Sequence, residues 1–297
     1  MASSSSSWDG PPLGRLAVIG VGQIGGSVAL AARAAGIASE VIGFARGAET
    51  LRKARALGII DHAAADAAEA ARGAAVIVLA TPVQSLAALA TAIAPAVATG
   101  ALVFDVGSVK VPAVRALEPV LPAGTFVACH PVAGTEKAGP EAASATLFHG
   151  RPCVVCPTTV TGVAALATVS RLWSALGADV VTMDAGLHDR VLGASSHLPH
   201  VAAFALAAAV AGSQPDVLEQ IGRMMTTSLR DTTRVAASSP AMWRDIFLDN
   251  REQMLPLIDR LLSSVQDLRA AVTAGDGAQL EALLAAAKRG RDRLIPG

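Results

Sequence analysis

A strand-length apolar run at residues 16–19, Leu-Ala-Val-Ile, leads directly into Gly20-Val-Gly22-Gln-Ile-Gly25-Gly26, and an alanine-rich stretch follows. No other feature restricts the fold of this chain as much. In the G-x-G-x-x-G spacing each glycine has its own physical task. Gly20 permits the tight turn out of the strand, Gly22 lets the backbone approach a pyrophosphate, and Gly25 lets the following helix pack against the strand. The helix N-terminus then presents N–H donors and the positive end of its dipole to an anion. Strand, loop, helix and a second strand candidate at 41–44 arrive in order within about thirty residues, the context the motif requires. The reading is a dinucleotide-binding βαβ unit, with Gly20, Gly22, Gln23, Ile24 and Gly25 as candidate cofactor contacts.

The end of the second strand bears on which dinucleotide. A carboxylate is expected there, about 20 residues on, to take the ribose hydroxyls. The chain has Gly43-Phe-Ala-Arg46 instead. Arg46 suits a 2′-phosphate, so the expected cofactor is NADP, with NAD as the alternative.

Further strand candidates lie at 76–80, 102–105, 126–129, 153–156 and 180–182, separated by alanine-rich helical stretches. Alternating β and α units imply right-handed crossovers and a mostly parallel, doubly wound Rossmann-type sheet. After residue 183 the strands stop, and 189–293 reads as helix, with breaks at 212–215, 238–240 and 275–277. The expected fold is therefore α/β, followed by an all-helical domain. The expected division is a tail at 1–12, a dinucleotide-binding domain at 13–186 and a helical domain at 187–297. Residues 73–104 carry no charge, but Pro82, Pro95 and Gly100 divide them into strand, turn, helix and strand, so they are read as sheet rather than membrane span. The uncharged run 201–214 is too short to span and is read as a buried core helix.

The 297 residues carry 24 basic and 24 acidic side chains, which removes any bulk electrostatic reason to bind nucleic acid or an anionic membrane. The three cysteines, Cys129, Cys153 and Cys156, are too few and odd in number for a disulfide framework, so a reducing, cytoplasmic setting is expected. Cys153 and Cys156 have the spacing of a redox or zinc pair. On a strand, however, residues three apart face opposite ways, and no second ligand pair follows, so no metal is expected. The serine-rich start has neither a basic region nor an apolar stretch and is read as a floppy tail, not a signal peptide.

Chemistry-prone residues cluster just after the strands, on the carboxyl edge where such folds bind ligands. They are Ala80-Thr81-Pro82-Val83, Asp105-Val-Gly-Ser108-Val-Lys110 and His130-Pro-Val-Ala-Gly-Thr135-Glu136. Thr81 and Pro82 are candidate cofactor contacts. His188-Asp189, Ser196-His197-Leu-Pro-His200 and Arg230-Asp-Thr-Thr-Arg234 follow in the helical half. Asp189 is read as holding the start of its own helix, and Trp173 and Trp243 as core.

Together, in this order, these motifs resemble the prephenate/arogenate dehydrogenase family over residues 13–293. The resemblance implies oxidative decarboxylation of prephenate to 4-hydroxyphenylpyruvate, or of arogenate to tyrosine, and a homodimer formed through the helical domain. It implies His130 as partner of the substrate hydroxyl, since a neutral imidazole accepts that bond at physiological pH. Ser108 would bond to His130 and the hydroxyl. Arg234 would hold a substrate carboxylate through its planar fork, with His200 favoured over His197 on the substrate side. Thr135 and Glu136 would lie over the substrate.

Rival readings are an amino-substituted prephenate as substrate or a non-catalytic nicotinamide-binding regulator. A β-hydroxyacid-type dehydrogenase would need a lysine early in the helical half, and none lies between Asp189 and Lys288.

Overall fold

The protein is described by a computed structural model covering residues 8, 10–134 and 137–294. Eight strands form one sheet: β1 (Gly14–Ile19), β2 (Ala38–Phe44), β3 (His62–Ala63), β4 (Val76–Leu79), β5 (Leu102–Asp105), β6 (Phe126–Pro131), β7 (Pro152–Cys156) and β8 (Asp179–Thr182). Their order is β3-β2-β1-β4-β5-β6-β7-β8. Pairing is parallel except between β6 and β7. The chain winds outward from β1 to β3, then returns beside β1 as β4, so the order reverses at the carboxyl ends of β1 and β4. That is where a doubly wound sheet opens a crevice.

Both sheet faces are covered, which explains why the strands are apolar without alternation. Leu16, Val18, Val76 and Val78 enter one core, whereas Ala17, Ile19, Ile77 and Leu79 enter the other. Cys153 likewise joins the first and Cys156 the second. All three cysteines are free and buried. Burial pushes the Cys156 thiol up to about 12, so it is inert near neutral pH. Among the described residues no group of three or more His, Cys, Asp or Glu is placed to hold a metal.

Three details differ from the sequence reading. β3 is a two-residue, exposed strand without an apolar run to announce it. β6 runs two residues past the apolar stretch, so His130 lies within the strand, paired in register with Val154 of antiparallel β7. The helix expected to be buried, Leu198–Ala211, buries only Ala203 in the single chain. It is apolar all round but packed on one side. With the preceding turns it forms one continuous helical stretch, Ala185–Ala211, of membrane-span length, in which His188 and Asp189 are buried within the protein.

Lys110, read as a local charge, is instead fully buried. Its Nζ donates to Asp105 Oδ2 and, at 2.6 Å, to the Cys129 carbonyl. Asp105 also accepts from the Gly107 N–H at 2.9 Å and the Cys129 N–H at 3.2 Å. This ion pair, with both side chains fully buried, locks the tips of β5 and β6 together. Removing one partner strands the other charge in the interior, which costs about 3–5 kcal/mol. Lys110→Met is therefore expected to lower the urea unfolding midpoint by that amount of stability, and Asp105→Leu added to it is expected to restore part of the loss. Equal midpoints for Lys110→Met and the parent would contradict the pairing.

Candidate active site

The glycine loop has the shape its spacing predicts. Gly20 has φ +102°, and a Cβ there would lie 2.2 Å from the Ala80 carbonyl oxygen. A Cβ on Gly25 would lie 2.1 Å from the Gly20 carbonyl oxygen. Gly22 is different, because no protein atom lies within 4 Å of its would-be Cβ. The space beside Gly22 is open at the N-terminus of the helix Gln23–Ala34, which has no side-chain cap. An uncapped helix start facing a side-chain-free gap fits a pyrophosphate. Residues 142–144, beyond β6, fold onto this helix start. The Ser144 N–H donates to Ser27 Oγ at 2.9 Å, and Gln23 Nε2 donates to the Ala142 carbonyl at 3.5 Å. Gly134 lies near the side chains of Gln23 and Ile24. Thr81 and Pro82 sit on the neighbouring loop, where Ser85 Oγ donates to the Pro82 carbonyl at 2.7 Å and lies 2.9 Å from Thr81 Oγ1. Arg46 is exposed just beyond β2, with no ion pair among the described residues.

His130 stands at the tip of β6 and is 8% exposed. Its Nδ1 lies 2.8 Å from Nε2 of His188, a fully buried residue on the helix Ala185–Leu192. His188 Nδ1 lies 2.7 Å from Asp189 Oδ1. Asp189 does not hold the start of its own helix, because that position belongs to Asp184, which accepts from the Leu187 N–H. Asp189 sits in mid-helix and caps another helix instead. Its two oxygens accept from the backbone N–H groups of Lys110, at 2.7 Å, and Val111, at 2.9 Å, at the start of Val111–Leu117. The line His130–His188–Asp189 thus joins the sheet to the helical half. Burial, with His188, Lys110 and His197 nearby, holds the His130 imidazole well below the usual histidine range, so it is neutral at physiological pH.

Ser108 is half-buried on the β5 loop and makes no hydrogen bond to His130; the His130 Nδ1 contact is with His188. The next residue, Val109, packs with Trp243 and Ile246 and so docks this loop onto the helical half. Trp243 is buried as expected. It also stacks on His200, with ring centroids 3.5 Å apart. A π turn, Gly193–His197, precedes Leu198–Ala211 and separates the two histidines of the motif. His197 is buried, and its Nδ1 lies 3.0 Å from Asn250 Nδ2, whereas His200 is half-buried. His200 Nδ1 donates to the Ser196 carbonyl at 2.9 Å, which leaves Nε2 as an acceptor on the neutral ring. Burial lowers the pKa of His200, and the positive charge of Arg234 lowers it further. Arg234 is exposed and makes no ion pair among the described residues. Thr135 and Glu136 lie outside the described residues.

A family model described as the nucleotide-binding domain of prephenate dehydrogenase matches residues 28–182. A second, described as the dimerization domain of prephenate dehydrogenase, matches residues 184–286. The chain belongs to the prephenate dehydrogenase family. It is 37% identical over 262 residues to a cyclohexadienyl dehydrogenase of Zymomonas mobilis, spanning 88% of this chain and 89% of that one. Its fold resembles the crystal structure of prephenate dehydrogenase from Aquifex aeolicus in complex with hydroxyphenyl propionate and NAD+. The TM-score there is 0.86 at 34% identity, covering 98% of this chain and all of that one. Synechocystis arogenate dehydrogenase is similar at TM-score 0.76 and 28% identity, over 95% of this chain and all of that one.

The dehydrogenase's edge histidine has a lowered pKa, so its neutral form persists as pH falls. The acid limb of kcat/KM is therefore expected to have its midpoint below pH 6.5. Steady-state rates across pH check this, and a midpoint above 6.5 would contradict the assignment of His130 as the group that titrates.

Proposed function

We propose that this dehydrogenase oxidatively decarboxylates prephenate to 4-hydroxyphenylpyruvate, or arogenate to tyrosine, using NADP in preference to NAD. The observation that carries this reading is His130. It is a neutral imidazole at the carboxyl end of β6, on the same edge of the sheet as the glycine loop after β1 and separated from it by β4 and β5, with Nδ1 engaged.

The nicotinamide, when bound, supplies the hydride acceptor. As hydride leaves the hydroxyl-bearing ring carbon, positive charge builds there, and transfer of the hydroxyl proton to His130 Nε2 relieves it. The ring carboxylate then leaves as carbon dioxide. Its bonding electrons complete the aromatic ring, and the proton returns from His130 to the phenolate oxygen. Arg234, exposed and without an ion pair among the described residues, is suited to grip a substrate carboxylate with two parallel bonds. His200 presents an acceptor, so it suits a substrate donor better than a carboxylate. Ser108 is free to bond to the substrate hydroxyl directly.

Arg46 supports NADP, because the end of β2 offers a guanidinium and no carboxylate. A homodimer through the helical half is supported by the dimerization-domain match. It is also supported by large apolar side chains left exposed there, among them Leu206, Leu255, Leu262, Val265 and Val272. Three free, buried thiols suit a reducing cytoplasm.

The deciding assay follows reduced nicotinamide with prephenate and arogenate against both cofactors. Turnover with at least one substrate is expected, with the higher kcat/KM for NADP. No turnover with either substrate would overturn the reading. Arg234→Ala is expected to raise the substrate KM about 10- to 100-fold, and Arg46→Ala to lower NADP efficiency about tenfold while sparing NAD, as loss of a charged hydrogen bond implies. An unchanged KM, or equal loss with both cofactors, would remove the respective assignment.

A further inference from the structure

Two residues outside the proposed catalytic set determine which nitrogen of His130 carries its proton. Asp189 faces three N–H groups: two backbone donors and the His188 ring. The backbone donors have no alternative role, and a carboxylate only accepts. His188 must therefore carry its proton on Nδ1, toward Asp189. When the His188 imidazole is neutral it has one N–H, so its Nε2 is left with a lone pair. That lone pair lies 2.8 Å from His130 Nδ1. His130 must then be the donor across this contact, with its proton on Nδ1 and its Nε2 lone pair free.

We propose that His188 and Asp189 are positioning residues that hold His130 in the Nδ1–H tautomer, with Nε2 as the proton acceptor in turnover. The proposal rests on the dehydrogenase reading above. When His130 takes the substrate proton, its positive charge is met through His188 by the Asp189 carboxylate. The same contacts fix the ring's direction, because His188 is fully buried and its helix is tied to the sheet through Asp189. Asn250 Nδ2 adds a bond to the Asp189 carbonyl at 2.9 Å. The titratable and charged groups around the two rings are Lys110 from the β5 side, His197 from the π turn, and Asp189. Among these, Asp189 alone offers a side-chain acceptor to His188. A wholly apolar environment would place the ring equally well but would leave the tautomer unset.

The test combines 15N-histidine NMR with kinetics on the full chain. Among the six imidazoles, the signals of His130 and His188 are assigned as those lost in His130→Asn and His188→Phe. In the parent, His130 and His188 are both expected as Nδ1–H. In His188→Phe, His130 is expected to shift toward Nε2–H and kcat to fall about 10²-fold, with cofactor affinity unchanged. His188→Gln, which keeps an acceptor at that place, is expected to recover part of kcat. A purely structural ring position would instead favour Phe over Gln. A parent His130 protonated on Nε2, or a His188→Phe enzyme with parental kcat, would overturn the proposal. If His188→Phe does not fold, the tautomer of the parent decides alone. If the parent turns over neither substrate, the functional reading fails, while the tautomer measurement still decides the relay.

Discussion

One buried carboxylate holds this molecule's two halves in working relation. Asp189 is 3% exposed and carries a charge that the interior tolerates only if its oxygens are fully engaged. It meets that demand with two backbone N–H groups from a helix of the sheet domain and one ring N–H from its neighbour. Losing these bonds would be costly, because the donors of Lys110 and His188 would then be buried without a partner and that of Val111 partly buried. The start of Val111–Leu117 and the helix Ala185–Leu192 are therefore fixed together, and His188 is pinned between them. The histidine at the end of β6 inherits its orientation from that arrangement.

A second buried charge, the Lys110–Asp105 pair, performs the matching task within the sheet. It joins the loop after β5 to the backbone of β6 just before His130. The same short loop gives its backbone N–H to Asp189 and its Val109 side chain to Trp243. Few residues thus link the glycine loop's side of the sheet to the helices that bear His200 and Arg234. Proton transfer tolerates little displacement between donor and acceptor, and this loop is where such displacement is prevented.

Much of this was legible before any coordinates. Gly20 and Gly25 are required by close backbone approaches that the G-x-G-x-x-G spacing predicts, and the apolar strands by a sheet covered on both faces. Cys153 and Cys156 face opposite cores because a strand alternates. The relay was not legible, although His188-Asp189 stood out as a pair. A helix residue's role as cap for another helix depends on tertiary placement, and His130 and His188 are 58 residues apart. Local rules assign an acid near a helix start to that helix, and Asp184 held the position. Ser108 was paired with His130 on resemblance alone, whereas the partner that the fold brings to the His130 ring is His188. The helix Leu198–Ala211 was read as core because composition does not distinguish a face buried within one chain from a face left for another.

The most direct measurement is a crystal structure of the enzyme with oxidised cofactor and a hydroxyphenyl product analogue. His130 Nε2 is predicted to lie at hydrogen-bond distance, about 2.6–3.2 Å, from the analogue's hydroxyl, with Nδ1 still on His188 and the Arg234 guanidinium on the analogue's carboxylate. A hydroxyl bonded elsewhere, with the His130 ring turned away from both it and His188, would contradict the assignment of this imidazole as the proton acceptor.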